Sequence, residues 1–405
     1  MSLADRDRKV LWHPYTQMQT APVPLEIERA KGVWLYTTDG RRILDGVSSW
    51  WVNIHGHSHP KINAALAKQA SELEHVIFAG CTHRPAVELA EGLLKVLPPG
   101  LSRIFYSDNG STAVEAAMKM AMQYWRNRGK PRHSFLTLTN AYHGDTVGAM
   151  SASARSIFTA AFDPMMFHVD QFNSLAELDA MLHDGIAAVL IEPMLQGAGG
   201  MRIWPAEFVA GVRKLCDQHG TLMIADEVLT GFGRTGKMFA CDHAGITPDI
   251  ACLSKGLTAG YMPLGVTAAT EAIYEAFLSE DRNKTFFHGH SYTANPLACA
   301  VGVASLEIFR DEPVLQNIAR LEAQMRVGLA PLKSIGDVRV LGGVGVVELH
   351  GDGYLDRTGP KLAAEFLKRD LLLRPLGNTV YFMPPYVISE EETDWALQQI
   401  REVLT

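Results

Sequence analysis

Lys255 follows the apolar run Ile250 to Leu253, within Leu253-Ser254-Lys255-Gly256, and Asp226 with Glu227 closes an earlier apolar run, Thr221 to Ala225. A lysine at the rim of a buried sheet loses part of its hydration, which lowers its pKa and frees the amine to attack an aldehyde and form a Schiff base. A strand-end aspartate performs the complementary task if the aldehyde is pyridoxal phosphate. A carboxylate beside the ring nitrogen keeps that nitrogen protonated and turns the ring into an electron sink. Asp226 and Lys255 are therefore the candidate catalytic pair.

Such a pair needs strands to carry it. Apolar runs alternate with helical patterns through the middle of the chain. Arg103 to Tyr106 precedes a helix over Thr112 to Trp125, and Ala187 to Ile191 precedes one over Ala206 to His219; Ser134 to Leu138, Thr221 to Ala225, Ile250 to Leu253 and Leu264 to Thr267 supply further strands. This alternation predicts an α/β domain with a mostly parallel mixed sheet flanked by helices. From Pro313 the pattern changes: a helix to Leu332, strands at Val338 to Val340 and Gly345 to Leu349, a helix from Lys361 to Lys368, a strand near Val380 to Met383 and a helix over Glu390 to Leu404. That pattern predicts a smaller α+β domain. The expected division is 1–49 as an arm and part of the small domain, 50–310 as the large domain, and 311–405 as the rest of the small one.

Asp108-Asn109-Gly110-Ser111-Thr112 falls between a strand and a helix, where free backbone N–H groups and the helix dipole attract an anion. Taken alone it reads as an ordinary N-cap. On the same sheet as Asp226 and Lys255 it reads as a phosphate site. Gly231-Phe232-Gly233-Arg234-Thr235-Gly236-Lys237 has the spacing of a nucleotide-binding P-loop, but Met238 stands where Mg²⁺ binding needs a hydroxyl, and no helix-forming run follows. His55, His57 and His59 alternate as metal ligands on a strand do, while Gly56 and Pro60 favour a turn leading into a helix over Lys61 to Leu73.

Composition narrows the function classes. The 405 residues are 47% hydrophobic and 20% charged, with a formal net charge of -7. Neither the charge nor any Lys/Arg block with aromatics favours nucleic acid. The segment Met1 to Lys9 lacks the apolar core of a secretory signal, and no uncharged apolar run reaches the roughly 18 residues of a membrane span. Five scattered cysteines fit reduced thiols. The expectation is a cytoplasmic protein with no membrane or nucleic-acid partner.

The ordered set Asp45-Gly46, Gly56 to Pro60, Asn109-Gly110-Ser111, Tyr142-His143-Gly144, Ile191-Glu192-Pro193, Ala225-Asp226-Glu227 with Gly231 to Gly236, Ser254-Lys255-Gly256 and Asn295-Pro296 resembles the class III aminotransferases among the fold type I pyridoxal-phosphate enzymes. The resemblance runs from Trp12 to Tyr386. It implies that Lys255 forms the Schiff base and shuttles a proton, that Asp226 pairs with the pyridine nitrogen, that Gly110 and Ser111 bind the phosphate and that Tyr142 stacks near the ring. It further implies a homodimer with shared sites, in which the segment His288 to Ser291 reaches the partner's phosphate and Gly289 lines the substrate pocket. This chain has His290-Ser291 where similar sequences have Pro-Thr, which keeps a hydroxyl donor but replaces a rigid residue.

A closer likeness lies in Trp12 to Thr16, Ser48-Ser49-Trp50-Trp51, Gln196 to Met201, and Arg374-Pro375 with Tyr381 to Tyr386. These segments resemble the biotin-pathway branch of the family. Ala198 stands where many relatives acting on ornithine or 4-aminobutyrate have Glu. The implied substrates are S-adenosylmethionine as donor and 8-amino-7-oxononanoate as acceptor. An acceptor with a carboxylate at the end of an apolar chain needs an apolar wall and a distant cation. Tyr15, Trp50, Trp51 and Tyr142 are the expected wall, with Tyr381 as a further substrate contact and Arg374 as the carboxylate clamp. Trp50-Trp51 as core and Arg374 as a surface residue are the competing readings, and Arg234 is divided between touching substrate and pairing with an acid.

Overall fold

Ile186–Ile191 and Leu222–Asp226 carry small and branched apolar residues on both faces, as strands sandwiched between helices must, and every residue of both is buried. In the computed structural model, which describes residues 1–351 and 358–405, they are central strands of a seven-stranded sheet. Its strands are β1 (Leu101–Ser107), β2 (Ser134–Leu138), β3 (Asp170–Phe172), β4 (Ile186–Ile191), β5 (Leu222–Asp226), β6 (Ile250–Leu253) and β7 (Gly265–Thr270). They lie in the spatial order β1, β7, β6, β5, β4, β2, β3. Strand β7 runs antiparallel to both neighbours, and the remaining pairs are parallel. The expected mostly parallel mixed sheet is therefore present. Strand β3 has only three residues and offers no apolar run to read; the helices over Arg84–Val96 and Pro296–Asp311 also go beyond the sequence reading.

Helix α1 (Gly110–Asn127) buries Ala113, Val114, Ala116, Ala117, Met120 and Ala121. Alanines at this spacing let a helix approach a sheet closely, and α1 crosses β7 and β6. Gly265, at the start of β7, is required for the same reason, because a Cβ there would lie 2.2 Å from the Asn109 carbonyl oxygen.

Among the described residues the remaining strands form a two-stranded ribbon, Leu195–Gln196 with Arg202–Ile203, and two smaller sheets. Gly336–Leu341, Val344–Leu349 and Thr379–Phe382 make an antiparallel sheet. Ile27–Lys31, Trp34–Thr37, Arg42–Asp45 and Leu371–Leu372 make the other, in which Leu44 and Asp45 pair in parallel with Leu371 and Leu372. Two residues far apart in the chain also bind across this seam: Arg41 Nη2 donates to Asp370 at 2.7 Å over a separation of 329 residues. From these pairings we propose that residues 1–49 and 311–405 form one smaller unit beside the 50–310 unit. No helix among the described residues is long and apolar enough to cross a membrane.

Phe366, wholly enclosed in helix Thr358–Lys368, fills the core of the smaller unit with Phe382, Leu371 and Val346. Phe366→Ala is expected to remove about 3–5 kcal/mol of stability, read as a lowered urea midpoint of that unit by near-UV circular dichroism.

Candidate active site

The carboxyl ends of β1, β2, β4, β5 and β6 open onto a cavity of about 380 Å³, the position at which open α/β sheets hold their ligands. Strand β1 ends at Ser107, and the chain turns through Asn109 into α1. Asn109 Oδ1 accepts the Thr112 N–H at 3.0 Å while Thr112 Oγ1 accepts the Asn109 N–H at 2.9 Å. The capping reading of this motif is thus realised at Asn109. It leaves Gly110 and Ser111, both lining the cavity, at the positive end of an 18-residue helix. The space there is kept by glycine: a Cβ on Gly110 would meet Val228 at 2.7 Å, and one on Gly144, where φ is 128°, would fall on Ser111 Oγ. A small anion such as a phosphate fits this cradle.

Asp226 ends β5, and its Oδ2 accepts from His143 Nδ1 at 2.7 Å. His143 Nε2 lies 3.1 Å from Thr137 Oγ1, and Asp226 Oδ1 accepts the Val228 N–H at 3.1 Å. The carboxylate is buried, and each of its oxygens accepts a hydrogen bond that replaces part of the water it has lost. Strand β6 is in parallel register with β5, Asp226 opposite Cys252, so Lys255 emerges one strand away from Asp226. Both line the same cavity. Lys255 adopts a left-handed backbone, φ 45°, at the head of a single 3₁₀ turn. Its Nζ lies 4.8 Å from the centroid of the Trp51 ring. Burial lowers the amine's pKa to about 8, and Arg234 pushes in the same direction, against the opposing pull of Asp226 and Glu192.

Glu192, just beyond β4, is wholly buried and accepts the N–H groups of Tyr142 and Gly197, each at 3.1 Å. Burial raises its carboxyl to about 7. It thereby fixes the backbone of Tyr142, whose ring lines the cavity and whose hydroxyl is pushed upward in pKa by burial. Tyr15 reaches the same place from the N-terminal segment, its hydroxyl 3.4 Å from that of Tyr142 and bonded to Asp145. Burial and Asp145 raise the Tyr15 hydroxyl to about 12.

Of the residues expected on the cavity wall, Gly110, Ser111, Tyr142, Asp226, Lys255 and Trp51 line it. Trp50 and Tyr15 do not line it: their ring centroids are 5.5 Å apart, and Arg374 Cζ lies 4.0 Å over the Trp50 ring. Trp50 is 39% exposed, so the core reading fits Trp51 and not Trp50. Tyr381 is not on the wall: it is buried on strand Thr379–Phe382, with its hydroxyl accepting from Trp51 Nε1 at 3.1 Å, and so stands behind Trp51. Gly289, His290 and Ser291 do not line this chain's cavity. Gly289 and Ser291 are exposed, and the His290 ring lies 3.5 Å from Asp108 of the phosphate loop.

The loop Gly231 to Lys237 is packed against the smaller unit, where a Cβ on Gly233 would meet Ile318 at 2.7 Å, and offers no open phosphate cradle. Its Arg234 is fully buried under the Tyr386 ring, 4.8 Å from its centroid, with Nη2 unbonded. The three histidines diverge into a turn: His55 faces Ser305, His57 faces Asp45, and His59 precedes helix Pro60–Glu72. Sequence reasoning gives no role to His143 or Glu192, although both sit in segments it singles out.

A family model described as "Aminotransferase class-III" matches residues 15–404. The chain is 46% identical over 415 aligned residues to the adenosylmethionine-8-amino-7-oxononanoate aminotransferase of Synechococcus elongatus, covering 97% of this chain and 98% of that one. A crystal structure of the enzyme of the same name from Methanocaldococcus jannaschii superposes with a TM-score of 0.96 at 38% identity, over 99% and 98% of the two chains. An amine transaminase from an uncultivated Pseudomonas species, solved with pyridoxal phosphate bound, superposes with a TM-score of 0.92 at 33% identity, over 98% of each chain.

With its pKa lowered to about 8 from 10.5, the Lys255 amine is neutral and nucleophilic above that pH and protonated below it. Capture of added aldehyde by the apoprotein, trapped with borohydride, is expected to rise with pH about a midpoint near 8. A midpoint near that of an unburied lysine would contradict the geometry.

Proposed function

The chain belongs to the class III aminotransferases, which depend on pyridoxal phosphate, and from that membership we propose that it moves an amino group from S-adenosylmethionine to 8-amino-7-oxononanoate, giving 7,8-diaminononanoate for biotin synthesis. The observation that carries the reading is the convergence of Lys255 and Asp226 on one cavity, with the Tyr15 hydroxyl 3.4 Å from that of the lining residue Tyr142 and the Trp50 ring between Tyr15 and Arg374. The relatives named for this reaction support the substrate assignment.

In this reading each residue has a definite task. Gly110 and Ser111 hold the cofactor's phosphate at the head of α1. Asp226 holds a proton on the ring nitrogen, and His143 and the Val228 N–H hold Asp226 in place. Pyridoxal phosphate, when bound, supplies an electron-withdrawing ring and the carbon that carries the amino group between substrates. Lys255 Nζ would hold the proton that has to move between the substrate's amine-bearing carbon and the cofactor, for which an amine near neutrality suits. Trp51 and Tyr142 exclude water from the reacting carbon. Trp50 and Tyr15 take the apolar chain of the acceptor and the adenine face of the donor, and Arg374 clamps either carboxylate with a forked pair of hydrogen bonds. One set of contacts then serves both substrates in turn, as a ping-pong cycle requires.

The proposed enzyme is a cytoplasmic homodimer in which Gly289, His290 and Ser291 complete the partner's site. That these residues do not line this chain's cavity supports that assignment, as does the strong exposure of their neighbours Phe287 and Tyr292, 76% and 63%.

The function is tested by mixing purified holoenzyme with S-adenosylmethionine, lysine or a simple diamine in a single turnover. Loss of the lysine-bound cofactor's visible absorbance with S-adenosylmethionine alone is expected. Bleaching by lysine or a diamine instead would move the protein to the broader amine transaminases. Arg374→Ala is expected to raise the KM for 8-amino-7-oxononanoate by about 10- to 100-fold, the effect of losing one charge-assisted pair, with little change in bound cofactor.

A further inference from the structure

Asp45 ends strand Arg42–Asp45, is fully buried and does not line the cavity, yet both its oxygens bind the turn that follows. Oδ1 accepts the Val47 N–H at 3.1 Å, and Oδ2 accepts the Ser49 N–H at 2.7 Å and the Ser49 hydroxyl at 3.4 Å. The same Oδ2 lies 2.9 Å from His57 Nε2, and His57 Nδ1 lies 2.9 Å from the Asn53 amide nitrogen. Every one of these bonds falls within twelve residues of Asp45.

The turn so held runs against the preferences of its residues. Ser48, Ser49 and Trp51 have φ of 49°, 60° and 65°, and Ser49 combines its φ with a ψ of -94°. Residues with a Cβ leave such conformations unless something holds them. The outcome is that adjacent tryptophans point to different parts of the site: Trp51 over the Lys255 amine at 4.8 Å, and Trp50 under Arg374 at 4.0 Å. The turn is also anchored to the strand that delivers Arg374, since the Gly46 N–H donates to Leu372 O at 3.0 Å, and to the end of strand Thr379–Phe382, since Ser48 Oγ donates to Met383 O at 2.7 Å.

We infer that Asp45, backed by His57, is a positioning pair that fixes the span between the Lys255 amine and the Arg374 clamp, and through it selects the length of the carboxylate-terminated acceptor. This rests on the proposed reading of Arg374. Neither residue touches substrate; the selection acts through Trp50 and Trp51.

The test uses holoenzyme carrying Asp45→Asn, His57→Gln, Ser49→Gly and the Asp45→Asn/Ser49→Gly double change. Asp45→Asn is expected to raise the acceptor KM about tenfold or more while kcat and bound-cofactor absorbance stay within about threefold. The near-UV tryptophan circular dichroism should change with it. Ser49→Gly alone should alter little. In the double variant, glycine accepts the strained backbone unaided, so KM and the tryptophan signal should return toward wild type. His57→Gln, which keeps a donor for Asp45, should fall between. An unchanged KM in a folded Asp45→Asn enzyme, a loss confined to kcat, or no recovery in the double variant would overturn the inference. If Asp45→Asn yields no folded protein, His57→Ala with and without Ser49→Gly decides by the same KM and tryptophan readouts. If wild-type enzyme fails to use the acceptor, the functional reading falls, while the tryptophan signal and its recovery still judge the clamp.

Discussion

A carboxylate removed from water stays charged only if its surroundings replace the hydration it has lost. Asp226 meets that condition through His143, which is itself held by Thr137, and through the Val228 N–H. Nearly everything else at the site is arranged around that charge. It draws the Lys255 proton affinity upward while burial and Arg234 draw it down more strongly, so that the amine sits near 8. The parallel register of β5 and β6 keeps the two groups on neighbouring strand ends. Removing either strand from the sheet would separate an acid and a base whose properties depend on each other.

The parts of this arrangement that are legible in the sequence are those that a local pattern encodes. The apolar runs before Asp226 and Lys255 place both at strand ends, and the cap at Asn109 marks the head of α1 through residue types alone. Short or long-range features leave no such trace. Strand β3 depends for its existence on pairing with β2, not on its three residues. His143 and Glu192 act on residues 83 and 50 positions away, and nothing nearby in sequence announces those partners. Trp50 and Trp51 read as equivalent because adjacent identical residues carry no information about which one turns inward. Only the left-handed backbone at Ser48, Ser49 and Trp51 distinguishes them. Tyr381 reads as a substrate contact for the same reason: its segment is right, but its hydroxyl is spent on Trp51.

The two units contribute differently to the chemistry. The larger carries Asp226 and Lys255 on strand ends whose spacing the sheet enforces. The smaller supplies Arg374 and, through its N-terminal strands, the approach to Trp50 and Trp51. The close superposition on an amine transaminase of only 33% identity shows how far the sequence can diverge while this fold is kept.

The parallel pairing of Leu44 and Asp45 with Leu371 and Leu372 has a consequence for biosynthesis. The first partner of that ladder leaves the ribosome long before the second exists. The seven strands of the large sheet are all translated by Thr270, so the sheet that carries Asp226 and Lys255 can assemble on the nascent chain. Arg374 must wait for the last tenth of the polypeptide, so the seam that ties the turn at Trp50 and Trp51 to it closes only as synthesis ends.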